Sequence, residues 1–175
     1  NNTANYAGAI YIINAGTLTI NNSTFTNNSA VTGGSGVFGG AILIDNGTAI
    51  ISNSTFTGNT ADYGGAIFNR SIATISNSTF MGNSAASNGG AILNTMSGTT
   101  TINTSVFANN TAPNGDATYS VAALTSQDTH YENNTCLGPN GDNGGNTVIT
   151  ATGCPGSAPI MLDVSAVACV GNDAM

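Results

Sequence analysis

Positive charge is almost missing from this 175-residue chain, which holds a single Arg and no Lys. Phosphate affinity rests on cationic contacts, so nucleic-acid binding is excluded as a function class. Polybasic attachment to a membrane surface is excluded for the same reason. Acidic residues are also few: the net charge is −7, and charged residues make up 5% of the chain, against about 25% in ordinary soluble proteins. Tryptophan is absent. No run of 18 apolar residues occurs, which excludes a membrane-spanning helix in this sequence. The start, Asn1-Asn2-Thr3, has no basic leader and reads as a processed mature end. Cysteine is confined to Cys136, Cys154 and Cys169, without zinc-ligand spacing.

The missing charge is replaced by Asn, Thr, Ser and Gly around an ordinary 40% of apolar residues. Those apolar residues recur in register. Phe25, Phe56, Phe80, Phe107 and Tyr131 are each followed three positions later by asparagine: Asn28, Asn59, Asn83, Asn110 and Asn134. The aromatic spacings are 31, 24, 27 and 24 residues. In phase with them run Gly8-Ala9-Ile10, Gly40-Ala41-Ile42, Gly65-Ala66-Ile67 and Gly90-Ala91-Ile92, with a decayed copy at Asp116-Ala117-Thr118. Self-similarity at a period of 20–50 residues marks a solenoid or array.

Within a repeat, the positions seven and five before the aromatic read Leu18/Ile20, Ala49/Ile51, Ala73/Ile75, Thr100/Ile102 and Leu124/Ser126. Steps of two mean strands with one face toward a core. Two before the aromatic, Ser23, Ser54, Ser78, Ser105 and Thr129 are all small and hydroxylated. Between these sets the phase shifts at Asn22, Asn53 and Asn77, a corner for which asparagine suits left-handed backbone angles. The invariant Asn three after the aromatic is expected to turn inward and bond its equivalents above and below. Three strands and three turns in about 25 residues form one coil, rising roughly 4.8 Å. The fold class is therefore all-β: a right-handed, three-sided parallel β-helix (β-solenoid) of about five to six coils, the hand following from parallel crossovers. Residues 1–136 form the repeats, and 137–175 a Gly/Asn/Pro-rich loop plus a terminal strand that completes a coil or contacts the next subunit.

The paired GGA(I/L) and FxxN motifs resemble the repeats of polymorphic outer-membrane proteins of intracellular bacteria and of adhesin-like surface proteins of archaea. The resemblance runs from residue 7 to about 136. It implies an extracellular β-helix at the cell surface.

Chemistry is sparse. Carbohydrate cleavage would need convergent carboxylates. The eight acids share no column at adjacent coils, and Asp45 instead aligns with Arg70 one coil on. His130 falls in an outward slot shared with Thr24, Thr55 and Thr79. No enzyme activity, cofactor or dedicated metal site is expected, although oxygen ligands near Asp116 or in the 140–146 loop around Asp142 could suit calcium. Eleven Asn-x-Ser/Thr sequons leave glycans as possible partners, the bland alternative being that Asn-Ser-Thr is the corner sequence of the repeat. Cys136 takes an inward slot and could pair with Cys169 beneath it, leaving Cys154 exposed.

A solenoid exposes unpaired strands at its ends. No cap precedes the first coil, and the tail alternates through Ile160, Leu162 and Val164. The candidate subunit contacts are Ala9, Ile10, Tyr11, Ile160, Leu162 and Val164. Either the Ile10/Ile42/Ile67/Ile92 set or the Tyr11/Leu43/Phe68/Leu93 set must face outward as an apolar stripe. The expectation is a secreted, non-enzymatic structural protein that binds copies of itself head to tail as an extracellular filament. The alternative is an adhesin-like surface fragment binding a host or matrix ligand. A third, weaker alternative is an ice-binding solenoid, from outward Thr columns such as Thr17/Thr48 and Thr74/Thr101.

Overall fold

The computed structural model describes residues 1–31, 36–134 and 136, together with the backbone of strand residues 137, 140–142 and 147–149. The chain winds as a solenoid in which every strand pairs in parallel with its equivalent one coil away. The first sheet stacks Ile10–Ile12, Ile42–Ile44, Ile67–Asn69, Ile92–Asn94, Thr118–Ser120 and Cys136–Leu137. The second stacks Gly16–Asn21, Gly47–Ser52, Ile72–Ser76, Thr99–Asn103, Leu124–Gln127 and Asn140–Asp142. The third stacks Thr24–Thr26, Thr55–Thr57, Thr79–Met81, Val106–Ala108, His130–Glu132 and Thr147–Ile149.

Three long sheets account for three sides. A fourth, shorter sheet of four strands, Thr3–Ala4, Ser29–Ala30, Thr60–Tyr63 and Ser84–Asn88, runs where the sequence suggested only a connection back to the first sheet. It forms because the Ser/Thr-Ala step after each ladder asparagine is itself extended and meets its copy one coil away, as Thr3 meets Ser29 and Ala85 meets Ala61. After the fifth ladder asparagine the connection is shorter: Asn134 leads within two residues to Cys136, already in the first sheet.

Corners carry the backbone strain. Asn22, Asn53, Asn77, Thr104 and Asp128 all sit at φ between 47° and 51°, between the second and third sheets. Such angles cost most side chains, and asparagine tolerates them best. The Gly-Gly turn has a different cause. Gly64 lies at φ +66°, and a Cβ on Gly65 would stand 2.1 Å from the Gly90 carbonyl of the next coil. Nothing larger than hydrogen fits between coils there.

The core is one continuous column of Ile, Ala and Phe running along the axis. Ile42, Ile67 and Ile92 point into it and are fully buried. The outward set is therefore Tyr11, Leu43, Phe68, Leu93 and Tyr119. It is not the open stripe that sequence suggests, because Leu43, Phe68 and Leu93 are only 1–5% exposed. Phe38 and Tyr63, arriving from the fourth side, cover it and form a second, smaller apolar cluster.

Candidate functional site

Inside the coils, three polar ladders tie each turn to the next. Asn59 donates from its backbone N and its Nδ2 to Asn83 Oδ1, at 3.0 and 2.9 Å. Asn83 repeats both bonds to Asn110, and Asn110 repeats them to Asn134. Each amide also donates to the carbonyl of the aromatic one coil back, as Asn83 Nδ2 does to Phe56 O at 3.0 Å. The whole hydrogen-bonding capacity of a buried primary amide is thus used. A hydroxyl ladder runs through Ser54, Ser78, Ser105 and Thr129, each backbone N donating to the next hydroxyl oxygen.

A third ladder escaped sequence reasoning. Asn69 Nδ2 donates to Asn94 Oδ1 at 3.0 Å, and Asn94 Nδ2 to Ser120 Oγ at 3.0 Å. Its signal was the Asn closing Ile-Phe-Asn69 and Ile-Leu-Asn94, obscured because Ile12 and Ile44 hold the same column in earlier coils.

The aromatic column is a ring stack. Phe25 to Phe56, Phe56 to Phe80 and Phe80 to Phe107 have centroids 4.7–4.8 Å apart and planes within 5°. Tyr131 follows at 5.3 Å and 16°, its hydroxyl donating to Ser126 Oγ at 2.9 Å. Ser126 occupies the column that Ile51, Ile75 and Ile102 fill elsewhere, and the smaller residue makes room for that hydroxyl.

Within the described residues, strands Thr3–Ala4, Ile10–Ile12, Gly16–Asn21 and Thr24–Thr26 each pair only with the coil that follows. Ile10, Leu18 and Phe25 pack against the core while only partly buried. Of the candidate contacts, Ala9 is exposed and Ile10 half-buried. Tyr11 is 44% exposed, stacks on Tyr6 and donates to Asp45 Oδ2 at 3.1 Å. Ile160, Leu162 and Val164 lie outside the described residues. Asn2 makes with Asn28 the same two bonds that the other ladder members make, so the amide ladder continues through the first coil.

On the outer face of the first sheet the fourth side leaves a cleft of about 400 Å3. Phe68 and Leu93 form its floor, with Tyr63 and Asn88 on one side and Thr95, Tyr119 and Val121 also lining it. Arg70 closes the neighbouring stretch: its guanidinium lies 5.0 and 4.9 Å from the Phe38 and Phe68 ring centroids and donates to Asp45 at 2.9 Å. That pairing, with the Tyr11 hydroxyl bond, holds the Asp45 carboxyl below its ordinary value against a smaller opposing push from burial.

Elsewhere the surface offers little chemistry. His130 stands partly exposed on the third sheet, 4.0 Å from Glu132. Among the described residues no three His, Cys, Asp or Glu converge as metal ligands. Asp116 accepts a bond from the Ala112 backbone at 2.8 Å, whereas the calcium expectation for the 140–146 loop concerns side chains outside the described residues. The outward Thr columns of the second sheet are interrupted by Ile50 and Ile72, 43% and 50% exposed. Of the sequons, the one at Asn69 is fully buried, while Asn53, Asn77, Asn109 and Asn133 stand exposed at corners. Cys136 is fully buried at the core's far end, while Cys154 and Cys169 lie outside the described residues.

No curated protein and no solved structure matches the chain. Two segments, residues 53–70 and 77–95, about a fifth of the sequence, match the Chlamydia polymorphic membrane protein repeat. Each runs from a corner asparagine through the Phe-x-x-Asn ladder; the coils make the chain a parallel β-helix repeat protein, and these two segments of it are similar to the polymorphic membrane protein repeat.

Proposed function

We propose that this chain is a non-enzymatic structural solenoid of the cell surface that stacks on further copies of itself, coil on coil, as an extracellular filament. One observation carries the proposal. Each coil offers its neighbour the same parallel strand edges, amide ladder and ring, as Phe56 lies between Phe25 and Phe80, so one coil face is complementary to the next. A contact of this kind does not close on itself, so it propagates. Low charge density favours it, since little repulsion opposes stacking. The membrane-protein repeat match supports a surface location. We place Cys136 in a disulfide, with Cys154 and Cys169 as the available partners, as suits an oxidising compartment.

Negative-stain images of purified protein over a concentration series test the reading. Filaments are expected, and Leu18→Lys should abolish them while leaving the monomer folded, because Leu18 is only partly buried in the first coil. Particles that stay single at high concentration would sink it. They would favour the second reading, an adhesin-like module, which the lateral cleft supports.

A further inference from the structure

We infer that the outward face of the second sheet is an ice-binding surface, with the ordered water of a crystal face as its ligand. The inference goes beyond the filament reading and does not depend on it.

Strand register lays out the face. One outward column runs Thr17, Thr48, Ile72 and Thr99 through successive paired strands. It stops at Ala123, which precedes its strand rather than lying in it. A parallel column two residues on runs Thr19, Ile50, Thr74, Thr101 and Thr125. All nine side chains in the paired columns are β-branched, seven Thr and two Ile, and none is buried. Such a side chain is stiff at its first torsion, so each carries a γ-methyl at a fixed place. Ile50 and Ile72 interrupt the hydroxyls but not the array of methyl groups.

Exposed strands favour threonine in general, and the third sheet supplies the control within the same molecule. Its outward columns begin alike, with Thr24, Thr55 and Thr79, but continue into Met81, Ala108, His130 and Glu132. Strand propensity acts equally on both sheets, yet only the second keeps one side-chain type. The outer face of the first sheet offers no such array, because Leu43, Phe68 and Leu93 are covered from the fourth side. A uniform array on a single side calls for a cause beyond propensity.

The mesh of the array selects the ligand. Coils rise by 4.7–4.8 Å, as measured on the ring stack. Alternate residues of one strand lie about 6.6 Å apart. Successive rings among Phe25, Phe56, Phe80 and Phe107 differ in plane by only 3–5°, so the coils stack almost without twist and the face is flat. Oxygen atoms on the prism faces of ice repeat on a rectangular mesh of similar dimensions. Hydroxyls at that spacing can stand in for lattice oxygens, while the methyl groups order the water between them. Stiff side chains also lose little rotamer freedom when the crystal is met. The array holds no charged side chain and no concavity, so it gives a protein or an oligosaccharide nothing to fix its orientation.

The test is nanolitre osmometry with microscopy of single ice crystals, and circular dichroism confirms that each protein is folded. The wild-type chain is compared with Thr74→Tyr and Ile50→Lys, which lie in the array, and with Thr57→Tyr, outward on the third sheet. None of the three positions is buried, so the substitutions should leave the core intact. The wild-type chain and Thr57→Tyr are expected to hold freezing below melting and to facet the crystals, and both array variants to lose these effects. A wild-type chain that neither separates the two temperatures nor shapes ice overturns the inference. So does full activity in either array variant, or an equal loss in Thr57→Tyr, which would take the effect away from the second sheet. Assembly is imaged on the same samples. Single particles that still shape ice would count against the filament and leave this inference standing.

Discussion

Thr118 is the one described residue whose buried side-chain oxygen has no hydrogen-bond partner. It stands in the column of Ile42, Ile67 and Ile92, where a β-branched side chain fits but a hydroxyl has nothing to bond. Thr118→Val keeps the shape and removes the orphaned group, so it should stabilise by about 1 kcal/mol, as a melting curve would register. The opposite case is Asn83. Truncating it leaves the backbone N–H and one Nδ2 hydrogen of Asn59 without an acceptor and removes a second bond to the Phe56 carbonyl. Each buried orphan costs about 1–3 kcal/mol, so Asn83→Ala should cost at least about 2 kcal/mol in denaturant titration. Asn28→Ala, at the open end, should cost distinctly less, because its partners on that side belong to the exposed Asn2. Equal losses at the two sites would refute a buried, end-sensitive ladder. Asp45 gives a pH dependence of known sign. Its folded pKa is depressed, chiefly by Arg70, so its stabilisation is present above the unfolded value and disappears as pH falls through the folded one. The two side chains are 41% and 34% exposed, which keeps the pair near or below 1 kcal/mol. Asp45→Asn should therefore lower the melting temperature slightly at neutral pH, and the gap should close below the ordinary carboxylate range.

At the scale of the strand and the turn, packing is dominated by the ring column, and Phe80→Ala is the direct probe. Phe80 is fully buried with a ring 4.7–4.8 Å away on each side. Its loss should cost roughly 3–5 kcal/mol, and a melting curve left unmoved would contradict the stack. Much of this level is legible in the sequence, because the same chemical demand recurs at one place per coil. The amide must serve a carbonyl and its own copies, so the asparagine three after the aromatic recurs in all five copies. The steps Leu18/Ile20 and Ala49/Ile51 likewise alternate as a half-buried strand must. The fourth side was hidden for the converse reason. Its strands are two to five residues long, too short for alternation to show, and the stretch from Ala30 to Gly39 is three times that from Ala61 to Gly64. Phe38 and Tyr63 therefore fall out of phase with the motifs, although they cover the outer column and shape the cleft. The Asn69–Asn94 ladder was masked in another way, by a column that changes from isoleucine to asparagine partway along.

For the whole molecule, each coil touches only its neighbours, so stability is close to a sum of coil and interface contributions. The interior coils have two such interfaces and the first has one. Its Ile10, Leu18 and Phe25 remain only partly buried, where Ile67, Ala73 and Phe80 two coils on are at most 1% exposed. Local opening should follow that gradient, and hydrogen exchange reads it directly. In dilute solution the amides of residues 10–26 should exchange well before those of residues 67–81. If the first coil is a subunit joint, a neighbouring copy covers it and mass action slows exchange there as protein concentration rises. The interior coils, already flanked on both sides, should barely respond. The contrast separates assembly from general crowding, which would protect every coil alike. Exchange at residues 10–26 that is independent of concentration would refute stacking of a second copy on this coil.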